Sequence, residues 1–186
     1  MNDTDSSTSQ YLVDDYEGIN SDFIDMQPLP SRGGYCDLFK AKRYGRWYLL
    51  KCLKEEEATY PVYQQMFRKE FEIGVALQHQ SVAQVTGLET VKMGDGRAAL
   101  CIISEWIDGV TLGEFLKGET GSAPPSVQER RRIAVELAEA VAYIHSQQVV
   151  HRDLKPSNIM ITHNGNTSPL LYRGWRTARF TFEKLS

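Results

Sequence analysis

The sequence predicts an α+β chain: an antiparallel β-sheet carrying one helix, followed by a mainly helical part. Three observations lead there. Apolar and aromatic runs of strand length recur around turn residues between positions 38 and 103. Apolar residues at helical spacing fill 61–78 and again 126–146. Between the second helical pattern and a short apolar strand lies a charged stretch, Val150-His151-Arg152-Asp153-Leu154-Lys155-Pro156-Ser157-Asn158-Ile159.

Bulk properties narrow the class. With 186 residues the chain is long enough for one domain of ordinary size. A net charge of -3 and a pI near 5.8 give no basis for a nucleic-acid partner. Cys36, Cys52 and Cys101 are odd in number and lack metal-ligand spacing, so buried free thiols in a reducing compartment are expected. No apolar run approaches membrane-spanning length. The opening Met1-Asn2-Asp3-Thr4-Asp5 is acidic, unlike a secretory signal. The expectation is a soluble cytoplasmic protein with no membrane partner.

Taken in order, residues 1–31 carry seven acids and no Lys or Arg, and 1–28 read as a flexible acidic leader. Runs at 38–42 and 47–51, joined around Tyr44-Gly45, read as an antiparallel strand pair. Ahead of them Ser31-Arg32-Gly33-Gly34-Tyr35-Cys36 is a glycine turn whose backbone N–H groups can approach phosphate oxygens. Lys51 ends the second strand. On the helix predicted at 61–78, Phe67, Phe71, Gly74 and Leu77 share a face, and Pro61 suits its first turn. Strands are expected at 82–91 and 98–103 around Asp95-Gly96. The segment Ser104-Glu105-Trp106-Ile107-Asp108-Gly109 reads as a linker, 111–117 as a short helix and 118–125 as a loop. Ser126-Val127-Gln128-Glu129 is a capping box that starts a helix about 30 Å long. Its stripe is Ile133, Leu137, Ala140, Val141 and Ile144. A strand follows at 159–162, then a turn at 163–166 toward a partner strand.

The charged stretch has the residue types that phosphoryl transfer needs. An aspartate orients a hydroxyl and accepts its proton, a lysine two positions on neutralises the moving group, and an asparagine five positions on can ligate Mg²⁺. A charged surface turn is the bland alternative. However, His-Arg-Asp-Leu-Lys-Pro-x-Asn resembles the catalytic loop of eukaryotic-type protein Ser/Thr kinases, with Lys155 as the mark of Ser/Thr specificity.

The resemblance extends over residues 29–166. It implies a protein kinase-like fold: an antiparallel N-lobe (29–104) with an αC helix, a hinge (105–109) and part of a helical C-lobe (110–166). It implies ATP and Mg²⁺ as cofactors and a protein hydroxyl as acceptor. Asp153 and Lys155 take the catalytic places, and Asn158 the metal-binding one. Gly33 keeps the middle glycine of the phosphate loop, with Tyr35 at its tip. Lys51 is matched to the lysine that holds the α- and β-phosphates. Glu70, nineteen positions on, is matched to its αC partner in preference to Glu72, which points away from it on a helix. The backbones of Glu105 and Ile107 fall where adenine is bound, Ser104 at the gatekeeper position, and His151 at the histidine that braces the loop.

The resemblance stops near Asn166. The family continues to Asp-Phe-Gly, whose aspartate grips Mg²⁺, but no Asp follows Asp153 here. Residues 1–166 carry 17 basic and 23 acidic side chains, whereas 167–186 carry four and one, and read as a non-homologous tail. The expectation is a C-terminally truncated domain with little or no activity, and alternatively a non-catalytic nucleotide-binding fragment. Without later helices, the stripe of Ile133, Leu137, Val141 and Ile144 is expected to form an exposed apolar face prone to self-association.

Overall fold

The computed structural model describes residues 19–20, 22–30, 34–118, 124–162 and 170–171. Its first part is a sheet of six strands: β1 (Ile19–Asn20), β2 (Ile24–Leu29), β3 (Cys36–Arg43), β4 (Arg46–Leu53), β5 (Val85–Lys92) and β6 (Ala98–Glu105). Their order is β1-β5-β6-β4-β3-β2; all pairs are antiparallel except β1 with β5. The β3–β4 turn places Tyr44 at φ 50° and Gly45 at φ 78°, the left-handed pair that suits the twist of a tight hairpin.

The sheet starts earlier than the sequence suggests. The acidic leader was expected through residue 28, yet Ile24–Leu29 pairs with β3, with Gln27 opposite Lys40 and Leu29 opposite Leu38. Pro28 is tolerated there because β2 is an edge strand. Residues 1–18 of that leader, Gly33, the turn at 163–166 and most of the 167–186 tail lie outside the described residues.

Side chains alternate along β4. Leu50 and Cys52 enter a cluster with Phe23, Ala41, Val91, Cys101 and Ile103. On the other face Leu53 packs with Phe67, Val85 and Ile102 beneath α2 (Pro61–Ala76), which follows the short α1 (Glu55–Ala58). Phe67 is fully buried; removing a ring of that size from water contributes roughly 2–3 kcal/mol. Arg43 of β3 reaches Glu89 of β5 at 2.7 Å although two strands lie between them, so the sheet curls over the first cluster.

One expectation about the cysteines fails. Cys52 and Cys101 are cross-strand partners in the β4–β6 register and are joined in a disulfide. Cys36 remains free and buried. The pairing depends on strand register and spans 49 positions, which cysteine spacing alone does not reveal.

The second part holds β7 (Gly109–Thr111), α3 (Leu112–Lys117), α4 (Val127–Ser146), a 3-10 turn (Pro156–Asn158), β8 (Ile159–Thr162) and β9 (Leu170–Leu171), with sheet order β7-β8-β9. Both helices of this part start with capping boxes: Thr111 with Glu114, and Ser126 with Glu129 as the sequence predicts. Gly109 is forced by close approach, because a Cβ there would collide with the backbone of Ile161. Tyr143 of α4 accepts a hydrogen bond from the Gln78 amide at 2.7 Å and stacks on His79 at 4.9 Å, tying the end of α2 to α4.

The expected exposed face of α4 is corrected. Ile133 and Ile144 are only 4% and 3% exposed, covered by Leu77, Leu112, Ile159 and Ile161. Leu137 and Val141 are partly buried against the same cluster. The β7–β8 pair and α3 supply the partners that the sequence reading assigned to later helices. Among the described residues no helix is long and apolar enough to cross a membrane.

Candidate active site

Two charged clusters and one apolar cluster make up the site. The first begins with alternation on β4: Leu49, Lys51 and Leu53 share a face, and Lys51 is thereby turned inward, 5% exposed. Glu70 lies three residues after the buried Phe67 on α2 and so points the same way. Its two carboxylate oxygens accept from Lys51 Nζ at 2.5 and 2.7 Å. Glu72 instead pairs with Lys69 in solvent, at 3.1 Å. Glu70, not Glu72, is therefore the partner of Lys51 in the structure.

Tyr35 joins this pair. Gly34, at φ 102°, turns the chain so that the next side chain folds inward. The Tyr35 hydroxyl donates to Glu70 Oε2 at 2.9 Å, and Lys51 Nζ lies 5.3 Å from its ring centroid. Burial pushes the Glu70 carboxyl upward, while Lys51 and the Tyr35 hydroxyl pull it back. Burial and the neighbouring Glu70 push the Tyr35 phenol far up, so it stays a neutral donor.

The second cluster is the loop before β8. Arg152 adopts φ 58°, an uncommon conformation for a side-chain-bearing residue. It follows His151, whose carbonyl accepts from the Asp153 amide at 2.8 Å. Burial holds the His151 imidazole below its ordinary range, partly offset by Asp153. The Asp153 carboxylate accepts from Lys155 Nζ at 2.8 and 2.9 Å. Asn158, 1% exposed, donates through Nδ2 to the Asp153 carbonyl at 2.7 Å and to its Oδ2 at 2.9 Å. Asp153, Lys155 and Asn158 thus form one hydrogen-bonded unit.

An apolar cluster joins the two parts of the molecule. Leu49 and Ile107 are buried together, and Leu29, Leu38, Trp106 and Met160 pack against them. Leu49 shares the face of Lys51, and Met160 lies two residues after Asn158. Leu49 of the sheet and Met160 of the strand after the loop therefore meet in one apolar cluster. Glu105 ends β6, its carboxylate accepting from the Gln84 amide at 2.7 Å. Ser104 is buried in β6 opposite Leu49. Gly33 is not among the described residues. The inward fold of Tyr35 was missed: the sequence places it at a loop tip, and only the Gly-Gly pair before it hints at a turn.

A curled sheet with a buried lysine–glutamate pair, joined to a helical part whose loop carries aspartate, lysine and asparagine, defines an α+β domain of the kinase class. Residues 31–171 match the protein kinase domain family, and the chain belongs to it. It is 32% identical over 145 residues to a probable serine/threonine-protein kinase of Streptomyces coelicolor, covering 76% of this chain and 21% of that protein. It is 29% identical over 136 residues to the serine/threonine-protein kinase PrkC of Bacillus subtilis, covering 72% and 20%. It is 30% identical over 153 residues to the serine/threonine-protein kinase mos of Vultur gryphus, covering 75% and 76%. The chain thus spans about a fifth of the length of the two bacterial relatives.

Proposed function

We propose that this chain carries the nucleotide-binding and catalytic-loop parts of an ATP-dependent protein serine/threonine kinase, which passes the γ-phosphate of ATP to a protein hydroxyl. The main support is the two charged clusters, Lys51–Glu70 and Asp153–Lys155–Asn158, together with the apolar contact of Leu49, Ile107 and Met160 that links their elements. In this reading the adenine lies in a cleft between the two clusters, against those apolar side chains, donating to the Glu105 carbonyl and accepting from the Ile107 amide. Gly33 closes over the phosphates, and Lys51, held by Glu70, positions them. Asp153 orients the acceptor hydroxyl and takes its proton. Lys155 neutralises charge on the transferring group.

The residues present fit a magnesium ion. The Asn158 amide oxygen is a hard oxygen donor, and Mg²⁺ commonly takes only one or two protein ligands beside phosphates and water. Among the described residues no cluster of three or more His, Cys, Asp or Glu offers an all-protein cage. When bound, the ion supplies charge neutralisation at the phosphates.

A second reading rests on one observation: no aspartate lies between Asp153 and Ser186. A missing metal-binding carboxylate raises the barrier by several kcal/mol, about a thousandfold in rate. For the chain as described we therefore infer nucleotide binding with little or no phosphotransfer. Equilibrium dialysis with ATP and magnesium tests the proposal. Binding is expected, weakened about tenfold or more by Lys51→Met through loss of a charge-assisted contact. Equal affinity in the two proteins overturns it. Phosphotransfer to a protein acceptor above that of Asp153→Asn rules out the second reading.

A further inference from the structure

We propose that Tyr35 is a positioning residue that occupies the phosphate end of the cleft and holds Lys51 against Glu70, so that a nucleotide reaches Lys51 only by displacing it. The nucleotide half of this statement rests on the kinase reading above; the covering of Lys51 does not.

Three contacts fix the side chain and one the backbone. The hydroxyl donates to Glu70 Oε2 at 2.9 Å, the same oxygen that accepts from Lys51 at 2.7 Å. The ring lies 5.3 Å from the Lys51 ammonium, within reach of a cation–π attraction that strengthens when both partners are desolvated. The ring stacks on Tyr63 of α2 at 5.6 Å, and Tyr63 meets Tyr60 edge-on at 6.1 Å. The Tyr35 carbonyl accepts from the Lys54 amide at 3.0 Å, which ties the turn to the end of β4.

The result is a loop residue only 7% exposed and a lysine only 5% exposed. A purely apolar ring would fill the same space without addressing the carboxylate. Here the polar tip is spent on Glu70 and the ring on the ammonium. Phosphate oxygens compete with the tyrosine for that ammonium, because both satisfy a desolvated cation. The aromatic ladder Tyr35–Tyr63–Tyr60 also ties the first turns of α2 to the glycine turn. When Tyr35 leaves, α2 loses one of its restraints.

The test uses the full chain as wild type, Tyr35→Phe and Tyr35→Ala. Each protein is treated with sulfosuccinimidyl acetate. Peptide mass spectrometry then reads the acetylation rate of Lys51 relative to Lys69, whose side chain is 52% exposed. ATP–magnesium affinity is measured in parallel by equilibrium dialysis. For Tyr35→Ala, the Lys51/Lys69 ratio and the ATP affinity should each rise about tenfold, the size of a lost cation–π contact plus the opened site. For Tyr35→Phe, which keeps the ring and loses the hydroxyl, about a threefold rise in the ratio is expected. A merely structural tyrosine would lower the unfolding midpoint without raising ATP affinity.

An unchanged ratio in Tyr35→Ala overturns the proposal. So does a raised ratio accompanied by unchanged or weaker ATP binding. If no form binds ATP while the ratio rises, the covering of Lys51 stands and the kinase reading falls. If circular dichroism shows Tyr35→Ala unfolded, Tyr35→Phe decides, and an unchanged ratio there overturns the proposal.

Discussion

Lys51 and Glu70 are each more than nine-tenths buried, and such charges are tolerated only as a pair. Removing one partner strands the other. Lys51→Met or Glu70→Leu should each cost about 3–5 kcal/mol in urea unfolding, whereas the double substitution should cost less than the sum. Additive losses would show that the two do not act as a unit. The pair was legible through the family resemblance, which matches Lys51 and Glu70 by position, with helix direction setting Glu72 aside; in the structure, alternation along β4 turns Lys51 inward. The Asp153–Lys155–Asn158 unit was legible as a motif, although its hydrogen-bond pattern was not. The direction of the Tyr35 ring was hidden, because one backbone angle at Gly34 sets it, and residue type does not report that angle.

At the scale of elements, strong local signals gave the secure boundaries. Ser126 and Glu129 start α4 where the capping box says, and Pro61 starts α2. β2 was missed because four of its six side chains are exposed, so the sequence carries no apolar alternation there. β1, two residues long, is too short to leave a pattern. β7 and β8 pair so closely that no side chain fits at Gly109. Gly109→Ala drives a methyl group into the Ile161 backbone, and a loss of about 1–3 kcal/mol is expected from such overpacking. Thermal unfolding checks this; a midpoint equal to wild type would mean that β7 and β8 separate at no cost. Loss of that pairing would also displace the strand that follows Asn158.

For the whole molecule, the α+β layout and the order of elements were legible, because strand-length runs and helical periodicities occupy separate stretches of the chain. Non-local pairing was not. The Cys52–Cys101 disulfide joins β4 to β6, and the cover over α4 comes from segments far apart in sequence. Closing a loop of 49 residues removes unfolded-state entropy worth about 4 kcal/mol. Unfolding in reductant should therefore occur at clearly lower urea than without it. Identical curves, with both thiols titrating as free in the oxidised sample, would remove the disulfide from the account.

The clasp between Tyr143 and the Gln78–His79 corner makes a fulcrum of the far end of α2. Glu70 sits eight residues back along the chain, a lever arm of about 12 Å at helical rise. A tilt of about 10° about that point swings the carboxylate by roughly 2 Å, more than a hydrogen bond survives. Small rotations at the junction with α4 are thus amplified into the making or breaking of the Lys51 contact.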